Sequence, residues 1–278
     1  MTALPDSRTM SVHRDGEVVY YGFPAFDALP FVRHGISTRL GGVSRGKYAS
    51  MDLSFTRGDE PDAVRENFRR IAAAIGVRDT DIVISAQTHT TNVYRATAAD
   101  RGRGVDRARG YTDIDGLLTD EPGVVLCTQY ADCVPLLFAD PVRRVVAASH
   151  AGWRGTAAGI GGVTVRRMRD EFGCRPEDIL AGIGPSIGAC CFEVDAPVWE
   201  AFCRAPHFSP AEHGRADGGG KFHIDLKAVN ARDLTQAGVL PEHITVSDLC
   251  TRCRPDVFWS HRACGSERGS LAAFIALI

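Results

Sequence analysis

The stretch Cys133–His150, CVPLLFADPVRRVVAASH, decides the fold. Asp140-Pro141-Val142-Arg143 carries a turn signal, Asp first and Pro second, and it separates two apolar runs of strand length. The reading is an antiparallel hairpin. With Pro141 and Val142 as a two-residue loop, Asp140 pairs with Arg143, and counting outward sets Cys133 opposite His150. Directly opposed Cβ atoms lie roughly 4.5–5.5 Å apart. A Pro at the second turn position also suits a longer loop or a bulge, and a slip of one residue would send thiol and imidazole to opposite faces. Leu136, Phe138, Val145 and Ala147 share one face, and Leu137, Ala139, Val146 and Ala148 the other. A hairpin apolar on both faces is covered by layers on both sides. An unpaired imidazole there costs on the order of 1–3 kcal/mol, so His150 has a partner.

Working outward, residues 17–23 and 31–38 read as strands, and 60–76 as a helix with apolar positions near helical spacing and Gly76 as its stop. Residues 81–87 form a strand running toward His89. The polar, glycine- and arginine-rich segment 98–114 reads as a mobile loop, and 212–223 as a second flexible loop. Residues 155–173 read as one helix weakened by glycines, 195–206 and 225–238 as further helices, and 243–249 and 270–278 as closing strands. Strands and helices alternate, yet several strands are adjacent in sequence. The expectation is an α/β fold, with α+β as the alternative, of layered mixed sheets flanked by helices. One catalytic domain is expected over 1–278, with 1–16 as a flexible N-terminal segment.

Composition excludes several functions. The 278 residues are 44% hydrophobic, and 32 basic against 34 acidic side chains leave a net charge of -2. A nucleic-acid binder would show a basic footprint. No apolar run of about 18 residues marks a membrane span, and the N-terminus lacks an apolar signal core. The default address is therefore the cytoplasm, where thiols stay reduced. The nine cysteines then read as packing residues, metal ligands or nucleophiles.

A third group joins His150 and Cys133. Residues 87–92, QTHTTN, place His89 just past a strand end. One Cys and two His with one position open make up a catalytic zinc site, and thiolate with imidazole also suits copper. Without a metal, Cys133 and His150 would instead serve as nucleophile and base in a cysteine hydrolase or deamidase. Copper-dependent phenol oxidation needs several centres built mainly from His clusters. The nine histidines are scattered singly, with no His-x-His pair.

HGISTRLGGVSRGKYASMDLSF (34–55), QTH (87–89), DGLLTD (115–120), ADCVPLLFAD (131–140), SHAGWRGTAAGI (149–160), GIGPSIGACCFEV (182–194), IDLKAVNARDL (224–234), DLCTRC (248–253) and FWSHR (258–262) occur in this order. Together they resemble the laccase-domain proteins, formerly called multicopper polyphenol oxidases. The resemblance implies a zinc-dependent purine nucleoside phosphorylase acting on adenosine, inosine and S-methyl-5'-thioadenosine, with adenosine deaminase activity. It also implies a layered fold similar to a toxin deamidase that uses a Cys-His pair. Carried onto this chain, the family's metal ligands are His89, Cys133 and His150. Two positions depart from its pattern. Thr90 stands where the family has Gly, which would narrow the pocket beside the metal, and His261 stands for a Tyr that could line the nucleoside site.

Purine nucleosides and phosphate are the expected partners, with no nucleic acid or membrane, in a monomer or homodimer. Asp132 is the candidate acid/base beside the metal. Arg39 before a Gly-Gly loop, Arg154 at a helix start, Ser186 in the GPSIG loop and Gln87 are the candidates for substrate and phosphate, because phosphate favours Arg forks and backbone amides at turns. Trp153 could stack on a base. A structural zinc on Cys250, Cys253, His261 and Cys264 has suitable ligand types, but the 253–264 spacing is short for a zinc ribbon. Cys127, Cys174, Cys190, Cys191 and Cys203 read as packing residues.

Overall fold

A computed structural model describes residues 4–278. Two six-stranded mixed sheets lie face to face. The first comprises β1 (Ser11–Asp15), β2 (Val18–Gly22), β3 (Val32–Ser37), β4 (Ile82–Ile84), β7 (Val125–Tyr130) and β15 (Leu271–Leu277), in the order β1-β2-β3-β15-β7-β4. The second comprises β5 (Val93–Arg95), β6 (Gly116–Thr119), β8 (Val134–Asp140), β9 (Val145–Ala151), β10 (Leu180–Ile183) and β14 (Ile244–Val246), in the order β14-β10-β8-β9-β6-β5. A small antiparallel sheet, β11 (Glu193–Asp195), β13 (Lys221–Ile224) and β12 (Gly214–Gly218), stands apart.

Alternation along the central strands dictates the layering. In β15, Ala272, Phe274 and Ala276 face the helix Pro61–Ile75 through Val64, Phe68 and Ile71, whereas Leu271, Ala273 and Ile275 face the second sheet. In the hairpin β8–β9, Leu137, Ala139, Val146 and Ala148 meet the first sheet. Leu136, Phe138, Val145 and Ala147 meet helices Ile160–Phe172 and Leu226–Gln236 through Ile160, Val165, Met168, Val229 and Leu234. The layers are thus helix, sheet, sheet, helices, and every residue of β8 and β9 is buried.

The hairpin register differs from the two-residue expectation. Asp140 pairs with Val145 and Pro135 with His150, so the loop has four residues. Asp140 Oδ1 accepts the N–H groups of Val142 and Arg143 at 2.8 and 2.9 Å, and Arg144 takes φ 56°. Such a turn, closed by one left-handed residue, follows the twist of the strands better than a plain two-residue type I turn. The shift is even, so each residue keeps its face. Cys133 is displaced beyond the strand end instead of standing opposite His150.

Three other expectations are corrected. Part of the presumed flexible start is β1, an edge strand whose sequence SVHRD hides it by being mostly polar, while residues 1–3 lie outside the described ones. The helix expected over 155–173 is two, Trp153–Ala157 and Ile160–Phe172, broken where Gly159 turns left-handed at φ 72°. Segment 98–114 is tied down, with Gly104 N–H on Arg107 O, Tyr111 hydroxyl on Ile84 O and an Arg65–Asp106 ion pair.

A candidate metal centre and its cavity

His150 ends β9, and Cys133 sits one residue before β8. Asp132 adopts φ 82°, a left-handed turn that brings the Cys133 side chain toward the site. His89 is likewise left-handed at φ 67°, a conformation costly for a non-glycine residue unless its surroundings impose it. Asp115 imposes it. Its Oδ2 accepts the amides of Thr88 and Thr90 at 3.0 and 2.9 Å, and its Oδ1 accepts the His89 amide at 3.0 Å. The same Oδ1 accepts His150 Nδ1–H at 2.8 Å. The β6–β9 register, Gly116 opposite Ser149, is what carries Asp115 alongside His150.

One buried carboxylate therefore sets both histidines. Since it can only accept, His150 keeps a proton on Nδ1, which leaves Nε2 as the atom turned toward the site and its proton as the one a metal displaces. Cys133 Sγ lies 4.0 Å from His89 Nε2, the two imidazole centroids are 4.9 Å apart, and the three ligand atoms lie within 4.8 Å of one another. One ion bonded to N and S at about 2.0–2.3 Å spans such a gap. Gly152 makes the approach feasible, because a Cβ there would stand 2.4 Å from His89 Cδ2 and 3.3 Å from Cys133 Sγ. The donors thus fit a metal of zinc or copper type, with its remaining position open on the cavity.

The electrostatics match. Burial by itself would raise the Cys133 thiol, but the His150 charge, then contact with His150 and His89, outweighs it and pulls the thiol down to about 6. Burial would lower His150, yet the Cys133 thiolate and then Asp115 raise it to about 9. Burial also opposes ionisation of Asp115, but hydrogen bonds from His150, Thr88 and Thr90 hold it down at about 2. A thiolate is thus available near neutral pH.

All three side chains line a cavity of about 530 Å3, within the usual range of small-ligand sites. Its wall also holds Trp153, Phe192, Gln87, Gln129 and the cations Arg57, Arg109, Arg262 and Arg268. Arg268 is 5% exposed, and its Nε has no hydrogen-bond partner among the described residues. Burial, then the like charge of Arg57, lowers it to about 10, so it stays cationic at neutral pH. Two mutually repelling guanidiniums with a free donor make a place for an anion.

The expected substrate residues scatter. Gln87 lines the cavity, but its amide is held by the Gln129 backbone, accepting N–H at 2.7 Å and donating to the carbonyl at 2.7 Å. Arg39 is elsewhere, its guanidinium on the carbonyls of Ala49 and Pro255 and 3.7 Å above the Trp259 ring. Arg154 is exposed and stacks on Trp153 at 4.2 Å, outside the cavity lining. Ser186 is wholly buried and is not part of the cavity lining, and its Oγ has no hydrogen-bond partner among the described residues. Asp132 lines the cavity, yet both carboxylate oxygens are taken, by Thr251 Oγ1 at 2.6 Å and the Arg262 amide at 2.7 Å. Thr90 does not narrow the cavity; its hydroxyl donates to Asp115 Oδ2 at 3.0 Å. His261 lines the cavity rim and bonds the Gly265 carbonyl through Nδ1. Sequence reasoning missed Asp115, Arg57, Arg109 and Arg268; only the Asp-Gly step opening β6 hinted at the first.

The family model for multi-copper polyphenol oxidoreductase laccase matches residues 33–278. A curated relative, purine nucleoside phosphorylase YlmD of Geobacillus stearothermophilus, is 39% identical over 87% of this chain and 88% of its own length. Adenosine deaminase RL5, from an unknown prokaryotic organism, is 37% identical over 84% and 89%. The crystal structure of Bacillus licheniformis hypothetical protein YfiH superposes with a TM-score of 0.89 at 33% identity, covering 95% of this chain and 97% of that one.

Proposed function

The chain belongs to the multi-copper polyphenol oxidoreductase laccase family, and on that premise we propose that it is a zinc-dependent purine nucleoside phosphorylase acting on adenosine, inosine and S-methyl-5'-thioadenosine, with adenosine deaminase activity. The observation that carries this reading is the convergence of His89, Cys133 and His150, buttressed by Asp115, at a cavity walled by arginines and aromatic rings. Relatives named for both activities point the same way.

In phosphorolysis a phosphate oxygen bonds to ribose C1', the bond from C1' to purine N9 breaks, and the purine leaves with the electron pair. Arg57 and Arg268 hold the phosphate dianion, the unpartnered Nε of Arg268 donating to it. Trp153 and Phe192 provide faces for the purine. Asp115 keeps His150 in the Nδ1–H tautomer and His89 in its turn. Asp132 fixes the Thr251 and Arg262 segments against the Cys133 turn, so it positions the wall and carries no proton to substrate. His89, Cys133 and His150 would hold the ion, which when bound supplies Lewis-acid chemistry at the cavity floor.

The test is incubation with adenosine, inosine and S-methyl-5'-thioadenosine, with and without phosphate, read by product mass. Ribose 1-phosphate or its methylthio analogue with free base, only with phosphate, and inosine from adenosine are expected. Absence of all of these refutes the reading. Cys133→Ala should remove both activities and the metal held at His89, Cys133 and His150. The aligned Cys133, His150 and Asp115 favour one second reading, a metal-independent thiolate hydrolase. Turnover that persists after chelation would select it.

A further inference from the structure

Cys190 and Cys191, on the loop after β10, meet Cys250 and Cys253, on the turn after β14. All four sulfurs lie within 4.8 Å of one another. Cys253 Sγ stands 3.6 Å from Cys190 Sγ and 3.5 Å from Cys191 Sγ. A tetrahedral ion with bonds of about 2.3 Å holds its sulfurs about 3.8 Å apart. Cys253 is shared almost equally between two neighbours, which is the arrangement of a centre and not of one disulfide pair. His261 and Cys264, the partners suggested by sequence, do not belong to the group.

We propose that Cys190, Cys191, Cys250 and Cys253 form a second, closed metal site that binds a thiophilic divalent cation, zinc above all, separate from the site at His89, Cys133 and His150. The surroundings suit thiolates. The Gly188 amide donates to Cys250 Sγ at 3.2 Å, and the Arg252 guanidinium donates to Cys191 Sγ at 3.6 Å. These neighbours offset part of the double negative charge of a cation bound by four thiolates. Gly188 leaves the room needed, since a Cβ there would lie 3.3 Å from both Cys190 Sγ and Cys250 Cβ. On binding, four thiols release their protons to solvent and no electron is exchanged.

The site would act as a staple. The 187–192 loop contributes Ile187 and Phe192 to the cavity wall, and the 250–254 turn contributes the Thr251 hydroxyl that holds Asp132. The two segments otherwise touch through a short bridge, Ser186 to Cys250, and the Thr251 amide on Ser186 O. A cation joining them fixes one wall of the cavity without touching substrate.

The test uses the full chain, reduced and freed of metal. Cys133→Ser silences the thiolate of the first site, and Co2+ is titrated into this variant. One equivalent bound with intense thiolate-to-cobalt charge-transfer bands in the near ultraviolet is expected, and the added substitution Cys253→Ser should remove the bands or cut them by a quarter or more. No bands, or bands unchanged by Cys253→Ser, overturn the proposal. A second readout runs beside it: a mercurial thiol reagent should release one equivalent of zinc from the Cys133→Ser chain reconstituted with zinc, and release of none overturns it.

Discussion

Asp115→Asn is the most informative substitution, because it keeps the shape of the side chain while removing its charge and replacing one accepting oxygen by an N–H donor. Oδ1 accepts His89 N–H and His150 Nδ1–H; Oδ2 accepts Thr88 N–H, Thr90 N–H and Thr90 Oγ1–H. An amide nitrogen accepts nothing, so whichever way the Asn is turned, at least two buried donors lose their partner. At about 1–3 kcal/mol each, two such losses destabilise the metal-free fold by roughly 2–6 kcal/mol. Linkage gives a similar figure. A carboxyl held at about 2 in the fold and near its ordinary ~3.9 in the unfolded chain contributes about 2–3 kcal/mol at neutral pH. The folded value is depressed, so that contribution is complete above about pH 4 and fades as pH falls through 2, and the variant lacks it throughout. If the amide nitrogen faces His150, the ring must move its proton to Nε2, the nitrogen aimed at the site. Metal affinity should then fall about 10–100-fold. Thermal denaturation of the metal-free proteins reads the first effect, and competition with a chromophoric chelator reads the second. Wild-type values for both would refute the role given to Asp115.

Gly152→Ala puts a methyl 2.4 Å from His89 Cδ2, and His89 must move; metal affinity and phosphorolysis should each drop at least tenfold while the melting temperature changes little. Equal affinity by chelator competition would refute the close-approach argument. Arg57→Ala should raise KM for phosphate about tenfold or more, as expected for loss of a charge-assisted contact of about 1.5–3 kcal/mol, with a smaller effect on nucleoside KM; the reverse pattern would move the phosphate elsewhere. In the metal-free protein, peptide-resolved iodoacetamide labelling of Cys133 should follow a thiolate midpoint near pH 6, not the ordinary value near 9, and bound zinc should suppress it. Its stabilising contribution is complete only above the ordinary thiol value and is lost as pH falls through about 6.

What the sequence could show divides along a physical line. The hairpin faces were legible because alternation is a local property: each residue of β8 and β9 lies in the layer its parity assigns. The loop length was not, because Asp140 capping two amides and Arg144 turning left-handed leave no apolar trace. The proximity of His89, Cys133 and His150 was legible through residue type and resemblance, although the opposed pairing that first suggested it does not exist. Cys133 reaches the site because Asp132 turns the chain just before β8, not because it faces His150 across the ladder.

The arginines mark where such reading stops. Arg39 and Arg154 stood beside glycines in motifs that looked suited to an anion, yet each is already spent, the first on carbonyls and the Trp259 face, the second on Trp153 at the surface. Arg57, Arg109 and Arg268 come from three unrelated segments that carry no phosphate motif. What singles out Arg268 is burial beside another cation with an unpartnered Nε, a property of the folded wall and of no short stretch of chain. Asp132, Cys133 and Asp52 favour the Arg268 charge, but none pairs with it directly among the described residues, so burial and Arg57 still outweigh them and an arriving anion would be welcomed. Arg268→Met, which fills similar volume without charge, should therefore leave the empty protein as stable as wild type or more so, and abolish the rise in melting temperature expected when phosphate is added to wild type. A variant that is less stable and still responds to phosphate would show that Arg268 serves the fold and not the anion.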